Sequence, residues 1–251
     1  MQDIVSRAVN YRANGQDYRG ELLHQAGARP TRALLMAPNF LGVTDAALHQ
    51  ARQRLDANSV IFILDPYGVG RRPQDPQQAA AAIKHLRANP QALRPVLHAA
   101  LSALRHEAVA LGVAEENVAI FGFCFGGACV LELARSGAQA RAFISFHGLL
   151  TSDLPATQTP SGPLLILNGA DDPMVGADGQ AAFQKEMDAV GADWTLVNYS
   201  GTVHSFTDPG ANIPGRSVYN PTVARRAFAA MDDLLNEVFE HGLCHNAGDN
   251  R

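Results

Sequence analysis

Six apolar runs recur along the chain: 32–38 (RALLMAP), 59–68 (SVIFILDPYG), 117–123 (NVAIFGF), 141–148 (RAFISFHG), 163–169 (PLLILNG) and 194–200 (WTLVNYS). None shows clean polar alternation, the pattern expected of strands buried on both faces. Between them, apolar positions spaced three and four apart predict helices at about 44–56, 76–87, 91–112, 124–136, 178–190 and 221–241, with Thr44 placed to cap the first. Near the start, AVNYRANGQDYRGELLHQ sets Asn14 and Gly15 between two strand-like runs. Both central residues of a tight hairpin turn need positive φ, so this dipeptide predicts an antiparallel hairpin at the sheet edge.

Strand and helix alternate throughout, which predicts an α/β fold with a mostly parallel sheet, right-handed crossovers and helices on both faces. Ligands of such sheets bind beyond the carboxyl ends of the strands. The stretches GVGRRPQDP and TDPGANIPGR therefore read as active-face loops rather than linkers. No internal repeat is present, and one domain is expected over 1–251, with a polar tail from about 243 that frays.

Composition narrows the functional classes. With 251 residues and 47% hydrophobic content the chain can bury a substantial core. Its net charge of −4, from 20 basic and 24 acidic residues, is scattered, with no basic block to track a phosphate backbone, so no nucleic-acid partner is expected. No apolar stretch approaches the roughly 18 residues of a membrane span, and the first residues lack the apolar core of a signal peptide. A soluble, cytoplasmic protein, monomer or homodimer, is the expectation. Three cysteines and no C-x-x-C pair make neither a disulfide framework nor a zinc site. Cys129 reads as core packing. Cys244, between His241 and His245, lacks a partner cluster, so no metal and no cofactor is expected.

The chemistry centres on Gly122-Phe123-Cys124-Phe125-Gly126, which has the G-x-nucleophile-x-G form of a strand-to-helix elbow, normally written with serine. A nucleophile at that tip needs strained backbone angles to point away from the sheet, and small neighbours two residues either side let strand and helix pass closely. The helix N-terminus favours negative charge and would lower the pKa of a thiol placed there. The competing reading is a small hydrophobe in the core. In such folds the order along the chain is nucleophile, acid, histidine. Asp171 and Asp172 follow PLLILNG, and His204 follows WTLVNYS, so three suitable residues follow three strand ends. His147, after the 141–148 run, reads as a hydrogen-bonded structural residue or a pocket residue.

GFCFGG, NGADDPMV and YSGTVHSF, with DPYGVGRRP and SFHGLL, together resemble the dienelactone hydrolase family of α/β-hydrolases, over about residues 32–240. The resemblance implies a lidless hydrolase with Cys124 as nucleophile, His204 as base and Asp172 as orienting acid, Asp171 being the runner-up. It also implies an oxyanion hole made by the backbone amides of Phe40 and Phe125, and a small-molecule ester or lactone as substrate. Rivals on the same scaffold are an acyltransferase or lyase, and a redox-sensing or binding protein using Cys124.

Two departures from the family's prototype alter the expectation. The prototype has a glutamate in the P-N-F-L-G loop that helps keep the thiol neutral; here Asn39 stands there and cannot take a proton, so a resting thiolate–imidazolium pair is expected. The prototype also binds a substrate carboxylate with arginines, one of them four residues after the catalytic histidine, where this chain has Asp208. Arg71 and Arg72 are the candidate replacements, while Tyr67 and Phe206 are candidates for an apolar wall. Neutral esters, lactones and, as a side activity, activated phosphotriesters become credible substrates.

Overall fold

The computed structural model describes residues 3–240; the tail from about 243, with Cys244 and its flanking His241 and His245, lies outside the described residues. Eight strands form one sheet: β1 (Ile4–Ala13), β2 (Gln16–Gln25), β3 (Arg32–Ala37), β4 (Ser59–Ile63), β5 (Val118–Phe123), β6 (Phe143–Phe146), β7 (Leu164–Gly169) and β8 (Trp194–Tyr199), in the order β1-β2-β4-β3-β5-β6-β7-β8. β1 and β2 pair antiparallel through the Asn14-Gly15 turn, where both residues have positive φ. β2 joins β4 antiparallel, and β3 to β8 run parallel. This is the mostly parallel sheet with an antiparallel edge hairpin that the hydrophobic pattern implies.

The strands divide their side chains between two cores with a period of two. Along β5, Val118 and Ile120 face one core, and Ala119, Phe121 and Phe123 the other. On the first face lie α3 (Pro90–Ala110), α4 (Phe125–Arg135) and α5 (Ala177–Ala189), with α2 (Pro76–Arg87) against its rim. The opposite face is covered by α1 (Asp45–Arg54) and α6 (Pro221–Glu240). Thr44 caps α1, its Oγ1 accepting from the Ala47 amide. Every residue of α4 is buried, including Glu132 and Arg135, which are tolerated because Arg94, Glu132, Arg135 and Glu186 form a continuous ion-paired chain.

Three expectations need correcting. β4 ends at Ile63 because Asp65 turns its carboxylate back onto the Tyr67 and Gly68 amides and Pro66 has no N–H to pair. β6 ends at Phe146 because His147 takes a φ of +39°. β8 is not buried on both faces: it is the sheet edge and none of its six residues is fully buried. The TDPGANIPGR stretch also holds more order than a loop, a small ribbon of β9 (Asn212–Ile213) and β10 (Ser217–Val218).

Candidate active site

The elbow at Cys124 follows from local sterics. Cys124 sits between β5 and α4 with φ 55° and ψ −117°, a conformation costly for any side chain and tolerated where surroundings over-determine it. The glycines on either side explain how it is held. A Cβ on Gly126 would lie 2.0 Å from the Ala37 carbonyl oxygen, and one on Gly122 would lie 2.5 Å from the Gly126 carbonyl oxygen. Only hydrogen at both positions lets α4 cross β3 and β5 this closely. Cys124 is half-buried, whereas Cys129 is fully enclosed in the core, where burial drives its thiol well up.

Two further strand ends bring their side chains to the same place. Asp172, three residues beyond the end of β7, is buried; its Oδ1 accepts from the Met174 amide at 2.8 Å and its Oδ2 accepts from His204 Nδ1 at 2.7 Å. Asp171 is exposed, so Asp172 and not its neighbour reaches the histidine. His204 lies in the loop after β8 and is held by pairing with β10, its amide donating to Arg216 O and its carbonyl accepting from Val218. Its Nε2 is buried with no hydrogen-bond partner among the described residues. Burial alone would lower the His204 pKa; the bond to Asp172 and the neighbouring Cys124 sulfur outweigh it and raise it to about 9.

Cys124 and His204 open onto a cavity of about 720 Å³. Its apolar walls include Phe40, Ala80, Ile83, Leu149, Met174 and Ile213, and among the described residues its cations are Lys84, Arg87 and Arg216 against the single acid Asp153. Both loops read as active-face loops border it, through Pro76 at the start of α2 and through Ile213, Arg216 and Ser217 of the ribbon.

The Phe40 and Phe125 amides have no intramolecular acceptor among the described residues, and Tyr67 braces both residues. Its hydroxyl donates to the Phe40 carbonyl at 2.6 Å, its ring stacks on Phe125 with centroids 6.1 Å apart, and burial drives its pKa far up, keeping it a donor.

The remaining residues expected to bind substrate do not line this cavity. Arg72 is pinned to the buried Asp65 carboxylate and to the Val43 and Arg19 carbonyls, and Arg71 is exposed on the surface. Asn39 turns its Oδ1 onto the Leu41 amide, and Asp208 its Oδ1 onto the Gly210 amide. Phe206 is fully buried against His147 and Tyr199, and Tyr67 faces Phe40 and Phe125. The cations that do line it, Lys84, Arg87 and Arg216, escaped the sequence reading. Lys84 and Arg87 sit on a helix whose orientation no local pattern reports, and Arg216 follows a turn hidden in a Gly/Pro-rich stretch.

The model of the dienelactone hydrolase family matches residues 19–239. The chain belongs to the dienelactone hydrolase family. The solved structure m3DLH is 31% identical with a TM-score of 0.84, over 94% of this chain and 99% of that one. A dienelactone hydrolase-like promiscuous phosphotriesterase from metagenomic libraries is also 31% identical, with a TM-score of 0.83, over 94% and 98%. Among curated proteins, a probable 2-oxo-3-(5-oxofuran-2-ylidene)propanoate lactonase of Bradyrhizobium sp is 25% identical, covering 90% of this chain and 92% of the relative. This dienelactone hydrolase-family chain is a hydrolase acting on esters or lactones, and among the described residues no helix is long and apolar enough to cross a membrane.

Proposed function

We propose that the protein cleaves carboxylic esters or lactones through a thioester on Cys124. The observation that carries this reading is the Asp172–His204 hydrogen bond beside a cysteine held at a strained elbow on the wall of a cavity. Cys124 Sγ attacks the acyl carbon while its proton resides on His204 Nε2. The Phe40 and Phe125 amides, set before charge develops, donate to the oxyanion. The intermediate collapses, the acyl C–O bond breaks, and His204 delivers the proton to the leaving oxygen. Water then attacks the thioester, giving one proton to His204, which returns it to the departing sulfur. Asp172 keeps the Nδ1–H tautomer of the imidazole throughout.

The cavity suggests a substrate with an apolar body, and its three cations against one acid favour a polar or anionic group at the rim. The test is 4-nitrophenyl acetate hydrolysis by the wild type and Cys124→Ala. Turnover lost in the variant supports the reading; equal activity overturns it. Adding an alcohol or thiol separates hydrolase from acyltransferase, by whether water or the added nucleophile captures the acyl group.

A side activity on activated phosphotriesters is supported by the 31%-identical promiscuous phosphotriesterase. Here Cys124 Sγ would displace the aryloxide from phosphorus, with the same amides on the phosphoryl oxygen. Release of 4-nitrophenol from paraoxon by the wild type and not by Cys124→Ala is the expected result. No release from either protein removes the proposal.

A further inference from the structure

His147 occupies an unusual position that no step of the proposed reaction uses. It follows β6 at a φ of +39° and is buried at 2% exposure. The Cys124 amide, the backbone of the elbow residue itself, donates a shared bond to the Phe146 carbonyl at 3.0 Å and to His147 Nδ1 at 3.1 Å. With Nδ1 an acceptor, Nε2 carries the hydrogen and donates to Thr207 Oγ1 at 2.8 Å, three residues beyond His204. The ring also meets His204 edge to face, with centroids 5.0 Å apart, and Phe206 at 5.1 Å. One imidazole thus touches the nucleophile's backbone, the base's ring and the loop that carries the base.

Both nitrogens are engaged, so His147 is not a second base competing for the thiol proton. Burial, reinforced by the nearby His204, holds its pKa well below the ordinary value and preserves the neutral tautomer these two bonds require. Protonation at Nδ1 would set two donors against each other at the elbow.

We propose that His147 is a positioning residue that ties the Cys124 amide to Thr207 and so fixes the placement of the nucleophile relative to His204. The proposal rests on the Cys124 thioester reading and adds a component to it. An imidazole at positive φ is needed because the acceptor must reach the elbow amide while the donor reaches the opposite loop. Asparagine tolerates that backbone region and carries an oxygen near the place of Nδ1, whereas leucine does neither.

The experiment is single-turnover acylation by 4-nitrophenyl acetate, read as 4-nitrophenol release, in Thr207→Val, His147→Leu, His147→Asn and the Thr207→Val/His147→Leu double variant, each checked for folding by circular dichroism. Thr207→Val, which cuts one bond and keeps shape, is expected to slow acylation about 3- to 10-fold with KM within about twofold. His147→Leu should slow it roughly 100-fold, and His147→Asn should recover at least about tenfold of that loss. Thr207→Val should add nothing in the His147→Leu background, because the bond is already gone. A packing role would lower thermal stability and leave the acylation constant of folded protein unchanged. Folded Thr207→Val acylating at the wild-type rate overturns the proposal, whether or not His147→Leu folds. Turnover that survives in Cys124→Ala strikes the Cys124 thioester reading itself, whereas Cys124-dependent turnover insensitive to Thr207→Val strikes His147 alone.

Discussion

Tyr67 shows how far one hydroxyl can matter at a distance from the reacting bond. Its O–H holds the Phe40 carbonyl, and so the peptide next to one proposed oxyanion donor, while its ring supports Phe125. Tyr67→Phe keeps the stacking and removes the brace. The expected result is a 3- to 10-fold lower kcat for 4-nitrophenyl acetate, about 1 kcal/mol, with KM unchanged; an unchanged kcat contradicts the bracing role. At this scale the sequence was legible where a residue's placement follows from backbone position. Cys124, Asp172 and His204 are brought together because each follows a strand end that the apolar runs already mark. It was not legible where a role depends on side-chain direction. Arg72 is held by Asp65 and by the Val43 and Arg19 carbonyls, partners that the folded chain supplies, while Asn39 turns back onto the Leu41 amide two residues on. Arg87 and Arg216 reach the cavity from elements 129 positions apart in sequence.

At the scale of elements, the crossing of α4 over β3 and β5 creates the elbow. Gly126 has no space for a methyl group because backbone, which cannot swing away, would lie 2.0 Å from it. Gly179 in α5 offers a contrast, its nearest neighbour being Thr151 Cγ2 at 3.8 Å. Gly126→Ala is expected to lose activity and at least about 3 kcal/mol of stability. Gly179→Ala should leave activity intact and gain roughly 0.5–1 kcal/mol; urea unfolding of both variants, with activity assays, is the check, and a stable, active Gly126→Ala would contradict the account of the elbow. The long elements were legible from periodicity alone, but the β9–β10 ribbon was not. Two-residue strands leave no hydrophobic pattern, and this pair is held by the bonds of Arg216 and Val218 to His204 and of the flanking Ala211 and Asn220 to the Asp208 and Phe206 carbonyls.

Across the whole molecule, the two buried histidines shape the dependence of stability on pH with opposite signs. His204 is raised from 6.5 to about 9, so the folded state binds the extra proton; that contribution is complete below pH 6.5 and is lost as the pH climbs to about 9. His147 is lowered, so the unfolded state binds the extra proton, and stability falls as the pH drops below 6.5. Glu186, lowered despite its burial because Arg135 binds it, adds to the loss on the acid side. Stability should therefore peak near pH 6.5. Urea titrations between pH 5 and 9.5 should show the peak, and Asp172→Asn should flatten the alkaline limb; a wild type that gains stability from pH 6.5 to 9 contradicts this assignment.

The measurement that tests the central claim most directly is rapid-quench mass spectrometry of the enzyme mixed with 4-nitrophenyl acetate, followed by peptide mapping. The account predicts one transient acetyl group on the Cys124 peptide, formed as 4-nitrophenol is released, cleared as water completes turnover, and absent from Cys124→Ala. An acetyl group turning over on another residue, or hydrolysis that proceeds in Cys124→Ala, would contradict it.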